Sequence, residues 1–155
     1  MLKYALKAVN SPANALRQIS MNANVHADGA PVDFATHCSA IQEEGYTVFT
    51  DVLSEAEITA YRAALQPWLD KDLCGRNVFE GTRSHRVYAM LAKNPIFAEL
   101  VTHPLALTLA EHFLGESCLL SACLAIELMP GESAQPWHTD DGHVSLKPPH
   151  KILGI

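Results

Sequence analysis

Apolar residues fall into helical register at DFATHCSAIQEEG. Phe34, His37, Cys38 and Ile41 share one face, with Asp33 ahead of them as an N-cap and Gly45 behind as a stop, so a short helix is predicted. The next stretch, YTVFTDV at residues 46–52, is rich in β-branched and aromatic side chains and predicts a strand. Ser54 and Glu57 then form a capping-box signature, followed by Ile58, Tyr61, Leu65, Trp68 and Leu69 on one helical face. Pro67 is expected to kink or end that helix.

Residues 77–90 are mixed. RVYAML is their most strand-like piece, and its Ala-Met-Leu could equally open a helix. Asn94-Pro95 marks a helix start with Ile96, Phe97 and Leu100 as its apolar side, and His103-Pro104 breaks it. A further helix at residues 105–114 stops at Gly115. CLLSACLAIELMP reads as a buried strand running into a Pro130-Gly131 turn, and the closing KILGI looks like the opening of another strand. Helices early and strands late predict an α+β arrangement whose sheet ends on an apolar edge.

Composition narrows this picture. A chain of 155 residues, 48% hydrophobic, supports one sizeable core and one domain, expected at residues 33–155. Residues 1–32 read as a loosely held arm, because small and polar residues dominate them. The first 27 carry Lys3, Lys7 and Arg17 with no acid, so they also resemble a transit peptide in composition. The apolar run at residues 118–126 is far shorter than the ~18 residues a membrane span needs. A net charge of −6 and a pI near 5.7 argue against nucleic acid or anionic lipid as partners. Four cysteines without C-x-x-C spacing read as reduced thiols, mostly core fillers, in a cytoplasmic protein.

The chemistry concentrates in AQPWHTDDGH. In an extended segment His138 and Asp140 point to the same side, within reach of one ion, while Asp141 points away. An imidazole and a carboxylate are two of the three protein ligands of the facial triad used by non-haem Fe(II) oxygenases. The same tripeptide also suits a surface pair in a polar turn. His143 adds a third donor in an H-x-D-x-x-H pattern compatible with zinc if the backbone turns at Gly142. His143 and His150 suit a substrate loop or solvent equally well. His26, His37, His85, His103 and His112 show no ligand spacing. Phosphate-cradling glycine loops and G-x-S-x-G elbows are missing from the sequence.

The wider string MPGESAQPWHTDDGH, followed by PPHKILGI, resembles the phytanoyl-CoA dioxygenase family of Fe(II)- and 2-oxoglutarate-dependent oxygenases. EEGYTVFTDVLSEAEI is similar to that family's first strand and helix, and NPIFAELVTHPLALTLAEHFLG to its middle helical pair. The resemblance implies a double-stranded β-helix, the cupin jelly-roll, with flanking N-terminal helices. It implies His138 and Asp140 as iron ligands and 2-oxoglutarate as cosubstrate. Arg86 stands where some members contact that cosubstrate, and it suits an ordinary solvated or ion-paired arginine as well. Gln135 and Trp137 would line the cosubstrate or substrate pocket, or else brace the strand. An intact carboxylate at Asp140 favours hydroxylation over halogenation, with O2 and a small organic or acyl-thioester substrate as partners.

The family's third histidine ligand and its 2-oxoglutarate-anchoring arginine lie beyond the Leu-Gly strand, past Ile155. The expectation is therefore a front half of a catalytic domain: a fragment, a natural truncation or a chain completed by a partner. The alternative is a truncated non-catalytic jelly-roll module that forms homo-oligomers through its unfinished sheet or binds metal without turnover.

Overall fold

The computed structural model describes residues 31–140 and 151–155, so residues 1–30 of the arm expected at 1–32, and Asp141, Gly142, His143 and His150, lie outside the described residues. Helix α1 spans Phe34–Glu44. Asp33 caps it by accepting from the Thr36 amide at 3.2 Å and the Thr36 hydroxyl at 2.7 Å. Gly45 ends it at φ 87°, a left-handed conformation that costs a residue without a Cβ little. Helix α2 spans Glu55–Leu69 and carries the full capping box: Ser54 accepts from the Glu57 amide while the Glu57 carboxylate accepts from the Ser54 amide. Pro67 sits inside α2, two residues before its end, so it terminates the helix rather than kinking it mid-length.

The predicted strand at residues 46–52 does not form. Its backbone pairs with no other strand among the described residues, and Tyr46 and Val48 face solvent. Propensity alone cannot satisfy a ladder without a partner. Phe49 and Val52 nevertheless pack inward, and His37 stacks on Phe49 with ring centroids 3.9 Å apart.

RVYAML divides between its two readings. Strand β1 spans Ser84–Val87, and a 3-10 turn at Met90–Ala92 follows Ala89, whose φ is 54°. Helix α3 spans Ile96–Val101, with the Asn94 side chain accepting from the Ile96 amide at 3.0 Å. Helix α4 spans Pro104–Leu114, with Pro104 in its first turn. Of the long apolar stretch before Pro130, Ala125–Leu128 alone forms strand β2. It pairs antiparallel with β1 in the register Ser84↔Leu128, His85↔Glu127, Arg86↔Ile126 and Val87↔Ala125.

Strand β2 was expected to be buried, yet Ile126 is 45% and Leu128 70% exposed, because the sheet has two strands among the described residues and β2 is an edge strand. Among the described residues the architecture is a mixed α+β fold of four helices and one two-stranded sheet, without the expected jelly-roll. KILGI forms no strand; its Leu153 packs against the core instead.

Two apolar clusters hold the elements together. Cys38, Leu105 and Leu109 join α1 to α4, with Phe34, Ile41, Phe113 and Leu153 around them. Val87, Met90 and Phe97 join β1 to α3, and Tyr61, Leu65 and Trp68 of α2 close over them. Trp68 lies between two cations, with the Lys71 ammonium 3.8 Å and the Lys93 ammonium 4.1 Å from its ring centroid. Burial pushes the Cys38 and Cys123 thiols up, so both stay protonated and inert as core fillers.

Phe97 is 1% exposed and lies at the centre of the second cluster. Phe97→Ala is expected to lower unfolding free energy by about 3–5 kcal/mol, whereas Trp137→Ala, at a fully exposed position, should change it by less than about 0.5 kcal/mol. Urea titration followed by far-UV circular dichroism checks both values.

Candidate metal centre

The segment after β2 leaves through a Pro130-Gly131 turn and is tied down at its start by Glu132. The Glu132 carboxylate accepts from the Arg83 amide at 2.6 Å, the Ser84 hydroxyl at 2.9 Å and the Ser133 amide at 2.8 Å. Ser84 is 1% exposed, so its hydroxyl needs this partner. The Arg83 guanidinium adds a bond to the Pro130 carbonyl at 3.2 Å. Gly81 makes room for the arrangement: at φ 91°, a Cβ there would collide with the Ser84 hydroxyl and the Glu132 carboxylate.

Further along, the Gln135 amide donates to the Phe79 carbonyl at 2.5 Å, pinning the segment to the loop before β1. His138 meets the Phe79 ring edge-on, with centroids 4.9 Å apart. His138 Nδ1 lies 2.8 Å from the Pro136 carbonyl. A carbonyl can only accept, so Nδ1 carries the proton and Nε2 keeps its lone pair in the neutral ring. That Nε2 lies 3.5 Å from Asp140 Oδ1, and the carboxylate is largely exposed.

The two residues therefore face each other, but not along a strand. Residues 136–140 have no strand pairing; the chain bends at Trp137 and turns again at Asp140. Trp137 stands fully in solvent, bordering an open pocket of about 500 Å³ with Gln135, Pro136 and His138.

Arg86 donates through Nε to the Glu80 carbonyl at 2.5 Å. Gln135, His138 and Arg86 thus converge on the adjacent residues Phe79 and Glu80. The Glu80 carboxylate is engaged by Arg76, whose guanidinium hydrogen bonds pull its pKa down to about 2. Among the described residues no third His, Cys, Asp or Glu joins His138 and Asp140 in a ligand-sized group.

Phe79, Glu132 and Gly81 escaped the sequence reading. Glu132 lies two residues past a Pro-Gly turn, a position that marks a loop but not its acceptor role, and no local pattern links it to Arg83. Phe79 sits in a mixed segment with no periodicity to single it out.

The hydrogen bond from the Arg83 amide, helped by those from Ser133 and Ser84, holds the Glu132 carboxyl below its usual pKa of 4.5. A depressed folded-state value stabilises the fold above the unfolded pKa, and that contribution disappears as pH falls through the lowered folded value. Glu132→Gln is therefore expected to melt below the parent chain at pH 7, with the gap closing as pH drops from 4.5 towards the lowered value. Thermal melts of both proteins across that range provide the check.

Residues 41–155 match the family described as phytanoyl-CoA dioxygenase (PhyH). No solved structure matches the chain. No helix among the described residues is long and apolar enough to cross a membrane.

Proposed function

The chain belongs to the phytanoyl-CoA dioxygenase family, within the Fe(II)/2-oxoglutarate dioxygenases, and from that premise we propose a hydroxylase-type oxygenase acting on a small organic or acyl-thioester substrate. The observation that carries this reading is the His138–Asp140 pair. Its 3.5 Å Nε2–Oδ1 spacing suits two donors sharing one ion, since bonds of about 2.0–2.2 Å set neighbouring ligand atoms roughly 3 Å apart. The ring tautomer also suits it, with Nε2 unprotonated and Nδ1 held by the Pro136 carbonyl.

His138 and Asp140 would hold Fe(II), and Arg86 and Gln135, whose side chains reach the loop against which His138 rests, would contact 2-oxoglutarate. Bound there, the pair of cofactors supplies C–H hydroxylation by O2, coupled to conversion of the keto acid into succinate and CO2. The chain's own residues set the geometry. Pro136 fixes the His138 ring rotation, and Phe79 holds one side of it against water. Glu132 and Gln135 fix the segment at two points, so the His138 donor is positioned before any ligand arrives. Trp137, already in solvent beside the pocket, offers an aromatic face to a substrate.

Anaerobic addition of Fe(II) and then 2-oxoglutarate is expected to give the weak visible charge-transfer band of the bidentate chelate. His138→Ala and Asp140→Ala should each remove it. A band that persists in both variants would place the iron elsewhere and sink the reading.

A second reading, a non-catalytic module that self-associates through its sheet, is favoured by the apolar exposure of Ile126 and Leu128 on an edge strand. It predicts a molar mass by light scattering that rises with concentration, and a monomer when Leu128 is replaced by Lys. A monomeric parent chain at high concentration would dispose of it.

A further inference from the structure

We infer that Asp72, Cys74 and His85 form a second metal site, for a borderline-soft divalent cation of the zinc class, on the side of the sheet away from Ser84 and Arg86. Their ligand atoms all lie within 4.8 Å of one another. His85 Nε2 is 2.8 Å from Asp72 Oδ1, and Cys74 Sγ is 3.9 Å from the same oxygen. A tetrahedral zinc with Zn–S near 2.3 Å and Zn–N or Zn–O near 2.0–2.2 Å spaces its donors roughly 3.3–3.6 Å apart. The observed separations straddle that range, so an ion replacing the proton between Nε2 and Oδ1 needs side-chain shifts of about half an ångström.

The backbone, not chance proximity, assembles these donors. Cys74 and His85 form an antiparallel bridge, flanked by hydrogen bonds from the Gly75 amide to the Ser84 carbonyl and from the Arg86 amide to the Leu73 carbonyl, each 3.0 Å. His85 in turn stands opposite Glu127 on β2. Residues opposite one another in paired strands share a face, so Cys74, His85 and Glu127 make one row across three segments. Asp72, with φ 52°, turns back left-handed to bring its carboxylate over His85, a conformation aspartate adopts more readily than most residues.

Glu127 supplies the feature that a chance cluster lacks. Its carboxylate lies 2.8 Å from His85 Nδ1. A ligating histidine characteristically gives its other ring N–H to a carboxylate, which fixes the tautomer and strengthens Nε2 as a donor. The thiolate selects against Mg²⁺ and Ca²⁺, which take oxygen donors. Three protein ligands leave one position for water, and exposed Asp72 leaves the ion a way in. Binding forms the Asp72–metal, Cys74–metal and His85–metal bonds, displaces water from the hydrated ion at each, and releases the thiol proton and any proton on Nε2. The ion would clamp residues 72–75 to β1. The reading is independent of the iron proposal, since the His138–Asp140 pair contains no sulfur.

Titration of the full chain with Co²⁺ alone, under anaerobic reducing conditions, tests it. The expected result is a near-UV thiolate-to-cobalt band with visible bands of tetrahedral intensity, the near-UV band saturating at one thiolate-bound ion per chain and erased by Zn²⁺. Cys74→Ser should abolish the near-UV band, and Glu127→Gln should weaken Co²⁺ binding by about 10–100-fold without removing a ligand. His138→Ala should leave the near-UV band intact, so failure of the iron site is distinguishable from failure of this one. Circular dichroism of the Glu127 variant confirms that the fold is retained. Absence of the near-UV band in the parent chain, its survival in Cys74→Ser, or unchanged affinity in Glu127→Gln would each overturn the proposal.

Discussion

A slip of one residue between Ser84–Val87 and Ala125–Leu128 would undo both clusters of chemistry at once, because strand side chains alternate faces with a period of two. In the observed register one face of the pair carries His85, Val87, Ala125 and Glu127. Val87 and Ala125 press into the second apolar cluster, and that burial locks His85 opposite Glu127. The other face carries Ser84 and Arg86. The Ser84 hydroxyl reaches Glu132 and the Arg86 guanidinium reaches the loop on which His138 rests. Apolar packing on one side of a four-residue strand thus sets the position of polar groups on the other.

The helices were legible because their signals are local. Asp33, Gly45, the Ser54–Glu57 box and Pro104 act within one turn, and each stands in the structure where the pattern puts it. Strands need partners far away in sequence, and here the pattern overreached. Residues 46–52 have the composition of a strand and no ladder, and most of the apolar stretch before Pro130 stays outside β2. Family membership carries an expectation of a jelly-roll, whereas the described residues supply two strands.

The chemistry was legible unevenly, for the same reason. His138 and Asp140 lie two residues apart, so spacing suffices to pair them; the structure keeps them together in an irregular segment where a strand was expected. His85 looked ordinary because its neighbours Asp72, Cys74 and Glu127 lie 13, 11 and 42 positions away and meet it through sheet register. Arg86, expected near the cosubstrate, binds the Glu80 carbonyl, which places it beside the same loop as Gln135 and His138 without joining it to either. Chain-distant convergence of this kind leaves no trace in local periodicity.

The placement of Trp68 between Lys71 and Lys93 has an optical consequence. The chain contains two tryptophans, and their surroundings are opposite. Trp68 is half-buried against the second apolar cluster with a cation over its ring, while Trp137 stands in water one residue from His138. Their emission maxima and accessibility to a soluble quencher therefore differ. One indole reports on the packing of α2 and the other on the segment that carries the iron-ligand candidates, so the molecule comes with separate native fluorophores for its interior and its site.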